Sequence, residues 1–526
     1  MIKILPQTHL PKSLLLPLML LLLLLQSSCS TTRSVPEGDY LFDSYEVQVN
    51  AEGNAEIPDE SEIKLEMQEA VRPKPNGSFL GLKFGLYIHN WFGPTKKEKG
   101  LKYWFKNKLG EPPVLLSQVD TSRISNVMFN ELHNRGYFGN DISIKTNLKK
   151  KKATVTWTAN VVQPYTIRTL EFPQTDSLPI YQLIRETQAN SLLQPGKPYN
   201  LQVMIAERQR INDYLKDRGY YYFSPDFILF KVDSTVAERK VDVYVRIKKD
   251  TPAKALQAYT LKDIYIYTNY SISDTAYAHD TIVYQGYYYI PSEEYMRAKH
   301  LLEAVFLEHG ELYSRSDQRL TATRLTNLGI FKFVDIDYRE DTAAAGENKL
   351  NVHIFLTQAM KKSLRLEAQA VTKTNNFAGP GFIASFRNRN AFRGSELLTV
   401  NLETSYEAQV GGQSTGLNSY ELGVNTALNI PRFVAPIKVR NIRSEFAPTT
   451  RITLGFTFLN RVQFFQMNSY SGTYSYNWKP KRPVTHEVTP INLQYVQLGN
   501  TTTEFDSILQ RNTFLRRSFE QQFILG

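Results

Sequence analysis

The chain has one cysteine, Cys29, in 526 residues. A single thiol excludes an intramolecular disulfide and leaves a zinc site without its usual sulfur ligands. The eight histidines (His9, His89, His133, His279, His300, His309, His353, His486) fall in no ligand spacing, so no metal is expected. No glycine cluster joins a strand to a helix as a phosphate-binding loop does, and no cofactor is expected. Gly412 to Gly416 fits Gly-x-Ser-x-Gly around Ser414, but it lies in a polar loop between two alternating segments. A nucleophile elbow needs a strand-turn-helix, so the chain reads as a non-enzyme in which Ser414→Ala is neutral. Charge of one sign is not concentrated: net charge is +11, but the basic residues are spread thinly, which argues against a nucleic-acid partner. Their one run, Lys149 to Lys152, lies between alternating stretches and reads as a solvated hairpin turn, with anionic lipid headgroups as the other reading.

A long apolar run is also missing at the start. Lys3 and Lys12 precede Leu14 to Leu25, too short for the roughly 20 residues of a spanning helix, and Gln26-Ser27-Ser28-Cys29 follows. The stretch reads as an export signal, residues 1–28. It resembles a bacterial lipoprotein signal, which implies a covalent lipid on Cys29; Gln26 stands where that pattern prefers an aliphatic residue. A plain secretory signal with a cysteine near its cleavage site is the alternative.

What is abundant is aromatic: 31 Tyr and 29 Phe. The length allows about three or more domains. Leu-x-x-x-Gly followed by Tyr or Ile and an aromatic occurs three times: Leu132 to Gly136-Tyr137-Phe138, Leu215 to Gly219-Tyr220-Tyr221, and Leu325 to Gly329-Ile330-Phe331. Each copy reads as a helix stop, because glycine takes the left-handed conformation without steric cost, with the ring packing beside it. Alternating segments open the copies at Tyr40, Tyr165 and Tyr259, and Gly-x-x-Tyr (Gly196 to Tyr199, Gly310 to Tyr313) precedes the stopped helix in the last two. In the second copy Asn200 caps a helix whose Leu201, Met204, Ile205, Ile211 and Leu215 form one apolar stripe. Further helical segments are expected at Ile180 to Gln188 and Glu293 to Glu308. Two strands close each copy, giving β-α-α-β-β three times, with an aromatic-rich insertion at Gly77 to Gly100 in the first. By topology Asp141 to Leu148, Asp226 to Val232 and Phe333 to Tyr338 are edge strands.

From residue 361 the period is two: Leu364, Leu366, Ala368 and Ala370 alternate with Arg365, Glu367 and Gln369, and similar alternation recurs at Leu422 to Ile430 and Ile452 to Phe458. One face is apolar, which fits a transmembrane barrel with a wet lumen or one layer of a soluble sandwich; segments of about ten residues and an exported context favour the barrel. About seven strands run from Leu364 to Gln497, followed by a polar segment, Leu498 to Gln510, and a last stretch to Gly526.

The β-α-α-β-β order closed by Gly-Tyr-Phe resembles the POTRA domain of outer-membrane assembly proteins. Gly379-Pro380-Gly381-Phe382 through Arg387-Asn388-Arg389-Asn390-Ala391-Phe392-Arg393-Gly394 looks like the second strand and first turn of barrels in the BamA and TamA superfamily. With Ser34 to Leu41 just after Cys29, the whole is most similar to the TamA-like lipoproteins, often called TamL. The resemblance implies an α+β series of POTRA repeats (29–163, 164–252, 253–360) and an antiparallel transmembrane β-barrel (361–526) holding about half the strands of a family barrel, hence a truncated or split member. It implies an outer-membrane location with periplasmic repeats, unfolded outer-membrane proteins as clients, a TamB-like partner bridging from the inner membrane, and the lipid bilayer as a third partner. The implied mechanism is strand addition of clients on repeat edges and passage through a lateral seam at the first barrel strand, Ser363 to Thr374. A two-partner secretion pore and a periplasmic binding scaffold are the competing functions.

Overall fold

The computed structural model describes residues 31–526 except 52, 54–56, 93–98, 176, 272–280, 292–294, 342–346, 373–376, 410–417, 437–442, 482 and 519–521. The signal segment, Cys29 and the Ser414 loop lie outside the described residues. The chain forms two compact units, one running to Ile211 with Pro225–Lys249, the other Asn212–Ser224 with Asp250–Gly526.

Three small mixed sheets come first, built on one plan. The first holds β1 (Leu41–Ala51), β2 (Asp141–Lys149) and β3 (Lys152–Val161) in the order β1-β3-β2; the second holds β4 (Thr166–Glu171), β5 (Ile228–Ala237) and β6 (Lys240–Ile247) in the order β4-β6-β5. In each, the first strand pairs parallel with the last, which sits in the middle with its hairpin partner antiparallel at the edge. A parallel pair needs a crossover, and here the crossover is helical. The central strand alternates because one face must be dry: Ala153, Val155, Trp157, Ala159 and Val161 of β3 are buried, and Val155 and Trp157 share a core with Ile63 and Met67 of the helix Glu60–Ala70 and with Ile124, Met128 and Leu132 of the helix Thr121–Asn134. Lys149 pairs with Lys152 across a turn in which Lys150 and Lys151 both have positive φ, the backbone of a two-residue hairpin loop, so the lysine run is that turn.

The third sheet is larger. Its strands are β7 (Thr260–Tyr267), β8 (Ile282–Tyr284), β9 (Tyr287–Ile290), β10 (Phe331–Glu340) and β11 (Lys349–Gln358), ordered β10-β11-β7-β9-β8. The β8-β9 hairpin departs from the expected β-α-α-β-β plan. The helix expected over Glu293 to Glu308 is confined, among the described residues, to Ala298–Leu302. In the second copy the stripe on the helix Leu201–Lys216 holds for Met204, Ile211 and Leu215, but Ile205 is exposed. The buried arc is rotated toward Glu207, a fully buried carboxylate that accepts hydrogen bonds from Ser191 Oγ (2.8 Å), Leu192 N (3.0 Å) and Arg210 Nε (2.7 Å).

An antiparallel meander follows: β12 (Lys362–Thr372), β13 (Phe377–Asn388), β14 (Leu397–Gln409), β15 (Asn418–Ile430), β16 (Thr449–Arg461), β17 (Phe465–Lys481), β18 (Val484–Thr501) and β19 (Gln522–Leu525), each paired with its neighbours in sequence. Leu498 to Gln510, expected as a polar connection, is strand to Thr501 and then the helix Thr503–Arg511, whose N-cap Thr502 accepts a hydrogen bond from Phe505 N. The molecule is therefore α+β with a mixed-sheet N-terminal region and a long antiparallel eight-stranded sheet.

Candidate functional site

Each small sheet has one rim closed by its own chain and one left open. Beside β1, Phe42 N donates to Val114 O and Leu116 N to Tyr40 O, both 2.8 Å. Beside β4 the Gly-x-x-Tyr element does the same work: Ile167 N donates to Lys197 O (2.9 Å), Gly196 N to Ile167 O (2.7 Å) and Tyr199 N to Tyr165 O (2.8 Å). Beside β7, Leu261 N donates to Glu311 O and Gly310 N to Leu261 O, both 2.8 Å, while β9 takes the rest of the rim. These short cross-links satisfy backbone groups that would otherwise recruit a strand. The opposite edges, β2, β5 and β10, have a strand on one side only among the described residues, with the short β8 a further edge of the third sheet.

The repeated glycine motif does more than end a helix. Leu132, Leu215 and Leu325 are fully buried, and Gly136, Gly219 and Gly329 all have φ between +70° and +99°. Leu132 O accepts from Tyr137 N and Leu215 O from Tyr220 N, capping the helix ends. Gly136 O then accepts from Tyr165 N (3.0 Å) of the following copy, and a Cβ on Gly136 would lie 3.0 Å from Tyr199 O. Phe138 packs 4.9 Å from Tyr165 and 5.3 Å from Tyr199, ring centroid to centroid. The second motif repeats this against the third sheet: Gly219 N donates to Tyr313 O and Tyr259 N to Gly219 O, both 2.9 Å, with Tyr221 4.9 Å from Tyr313 and Tyr222 5.3 Å from Tyr259; Tyr220 is buried. Burial and the neighbouring Tyr221 ring push the Tyr313 hydroxyl well above its ordinary range, so it stays neutral and donates to Gln318 Oε1. The third motif differs. A Cβ on Gly329 would meet nothing within 4 Å, and Phe331 begins β10.

There the joint is made by the turn between β13 and β14. Asn390, fully buried, donates through Nδ2 to Tyr295 O and accepts from Ser395 N (3.1 Å). Arg297 N donates to Arg393 O (3.0 Å), and the Tyr295 hydroxyl donates to Ile330 O (3.3 Å) and Ala359 O (3.2 Å), tying the turn to the third glycine motif. Inside the turn the buried Glu396 carboxylate accepts from Gly394 N (2.8 Å), Phe392 N (3.2 Å) and Arg432 Nη2 (2.5 Å). Burial pushes this carboxyl up, but the hydrogen bonds from Arg432 and the backbone outweigh it and hold it below the usual carboxylate range. A Cβ on Gly394 would sit 2.3 Å from Glu396 Oε1, which is why glycine stands there. Of the expected turn residues, Asn388 accepts from Asn390 N (3.2 Å), while Arg387 and Phe392 are exposed. Asn390, Ser395 and Glu396 organise the turn; the only signal for them was a polar Asn and an acid flanking the glycine of a tight turn.

Leu364, Leu366, Ala368 and Ala370 are exposed on β12, Leu364 and Leu366 at 66% and 73%, and β12 pairs only with β13 among the described residues. This inversion extends across the sheet. Ser385, Ser419, Thr450 and Ser475 are buried, whereas Phe382, Leu402, Leu422 and Leu454 are exposed, and from residue 362 onward only Ile430, Phe465 and Phe505 are buried apolar side chains among the described residues. Close strand contact is set by glycine: a Cβ on Gly379 would lie 1.8 Å from Tyr406 O. The residues hold no group of three or more His, Cys, Asp or Glu able to bind a metal among those described.

No protein-family model and no curated protein matches the chain. Among solved structures it is similar to the POTRA3-5 region of BamA from Haemophilus influenzae, at 14% identity over 62% of this chain and 99% of that one, with a TM-score of 0.30. It is similar to BamA from Haemophilus ducreyi lacking POTRA domains 1-3, at 11% identity over 64% of each chain and a TM-score of 0.36. A third likeness is to CdiB from Acinetobacter baumannii, at 8% identity over 64% of this chain and 62% of that one, with a TM-score of 0.23.

Proposed function

We propose that this chain is an outer-membrane protein assembly or translocation factor of the TamA-like lipoprotein type. The observation that carries the reading is the inverted burial of the eight-stranded sheet: large apolar side chains lie open while serines and threonines are buried. In water such a face costs about 25 cal/mol per Å² of apolar surface, whereas against hydrocarbon it is at home. On this reading the sheet forms the wall of a barrel, Cys29 carries the lipid, and the small sheets stand in the periplasm as POTRA modules. The open rims β2, β5 and β10 take up unfolded outer-membrane polypeptides by strand addition, which uses backbone hydrogen bonds and tolerates any side chains. The unpaired side of β12 is the seam at which a client pairs before release into lipid, and a TamB-like protein delivers or receives material from the inner membrane. Photo-crosslinkers at Arg365, Glu367 and Gln369 in cells test this. Adducts with several unfolded outer-membrane proteins are expected; a scan that traps no client refutes the seam, and adducts with one dedicated exported substrate assign the chain to secretion instead.

A further inference from the structure

The insertion in the first copy exposes apolar side chains that its own module does not use. The helix Phe84–Trp91 turns Leu86 inward against Val35 and Leu41, together with Asn90, and turns Phe84 and Trp91, seven residues apart on one face, outward. Leu80, Trp91 and Leu101 are 86%, 74% and 78% exposed, with Phe79 and Trp104 also open. Phe92 stacks on Phe105 at 5.6 Å, holding the two helical pieces of the insertion together so that the exposed rings are presented on a fixed frame. Between Gly77 and Gly110 the chain carries seven lysines against one acid, Glu98, and Lys99, Lys102 and Lys108 are exposed. The buried Asn90 accepts from Ser34 Oγ (2.5 Å) and donates through Nδ2 to Thr31 O (3.3 Å), so the chain just after Cys29 is pinned to this insertion. Only Ser30 stands between Cys29 and Thr31, a reach of at most about 7 Å.

We propose that this insertion is a phospholipid-docking surface, its aromatic and aliphatic side chains entering the headgroup region and its lysines meeting anionic headgroups. Three features select a lipid surface over a protein partner. Tryptophan, phenylalanine and leucine flanked by lysines that far outnumber acids is the composition that partitions to a membrane interface. Each exposed lysine contributes about 1 kcal/mol near an anionic leaflet, about fivefold in the docked-to-undocked ratio. The tether at Asn90 fixes the insertion to the chain two positions after the residue expected to carry acyl chains, which would bring a membrane next to it. The proposal rests on the reading that the chain resides at a membrane, but it does not require acylation of Cys29.

The test uses the full chain reconstituted in phosphatidylethanolamine–phosphatidylglycerol vesicles, with an environment-sensitive fluorophore on Trp91→Cys or Leu101→Cys and, as a control on the exposed face of β2, on Asn147→Cys; the parent chain reports any labelling at Cys29. Flotation of the parent chain tests membrane residence, and mass spectrometry of the N-terminal peptide tests acylation. The expected result is quenching at 91 and 101 by nitroxide-bearing lipids but not by aqueous iodide, the reverse at 147, and an approximately hundredfold loss of the docked state when Lys99, Lys102 and Lys108 are replaced by Gln. Quenching at 91 and 101 without acylation supports the docking surface and refutes the lipoprotein reading. Floating, acylated protein whose labels at 91 and 101 stay open to iodide overturns the docking surface alone. Labels shielded from both quenchers assign the patch to a protein partner and also overturn it.

Discussion

Gly136→Ala and Gly329→Ala place the same substitution in the same motif at φ +87° and +70°, so both incur the left-handed cost of a side chain, about 1–2 kcal/mol. They differ in what the new methyl meets. At Gly329 there is nothing within 4 Å; at Gly136 the Cβ lies 3.0 Å from Tyr199 O and 3.1 Å from Tyr199 Cβ, so the neighbouring copy must move. That movement strains the Tyr165 N to Gly136 O and Tyr199 N to Tyr165 O hydrogen bonds, a further loss of about 1 kcal/mol. The total for Gly136→Ala is about 2–3 kcal/mol, roughly a 30- to 140-fold increase in opening of the joint. Hydrogen exchange of the Tyr165 and Tyr199 amides reads it directly, because local opening is measured where it occurs. Gly329→Ala is expected to leave both amides unchanged and to loosen only the end of its own helix, Arg315–Asn327. Equal effects of the two substitutions at Tyr165, or none from Gly136→Ala, would refute the claim that this glycine is a joint between modules as well as a helix stop.

Three further outcomes are expected. The Arg168 guanidinium holds the buried Asp242 carboxyl down at about 2, so this pair stabilises the second sheet fully above about pH 4 and loses that contribution as pH falls through about 2; acid unfolding of β6 followed by exchange should lose this component in Asp242→Asn, and an unchanged acid profile would sink the assignment. Glu396→Gln removes a charge-assisted acceptor and is expected to cost about 1.5–3 kcal/mol, seen as faster exchange of the Gly394 and Phe392 amides, whereas Glu407→Gln on β14 should leave both amides alone. Leu454→Arg, in the middle of β16 on the exposed apolar face, is expected to cost about 2–4 kcal/mol of membrane-embedded stability, a roughly 30- to 700-fold drop in the folded-to-unfolded ratio measured by urea titration in lipid vesicles; wild-type stability there would mean that this face does not meet hydrocarbon.

What was legible in the sequence was local. The left-handed glycines, the Asn200 cap, whose Oδ1 accepts from Gln202 N at 2.8 Å, and the alternation of the central strands depend on residues within one turn or one pleat. The short hairpin at β8 and β9 was missed although Gln285-Gly286, both with positive φ, mark its turn; three- and four-residue strands are too brief for alternation to register. Buried acids were invisible for a different reason. Nothing in the sequence marks Glu207 or Glu396 as buried, because their burial depends on donors brought by backbone groups and arginines that sequence alone does not place.

The three copies of the glycine motif carry a further lesson in how they differ. In the first, the ring after the stop, Phe138, lies against the opening Tyr165 and the Gly-x-x-Tyr residue Tyr199 of the next copy, and in the second Tyr221 meets Tyr313 while its neighbour Tyr222 meets Tyr259, so a pattern spread over three places forms one joint. The sealing of one rim and the docking of the preceding module are then the same event, since Tyr199 N bonds Tyr165 O while its ring packs on Phe138. After the third copy no such module follows: Ile330 replaces the tyrosine, Gly329 meets no neighbour, and Tyr295 hands the contact to the polar turn at Asn390. Where isoleucine takes the place of the tyrosine after the glycine, the repeat has met a partner of another kind, and it is at that change of partner that the inverted sheet begins.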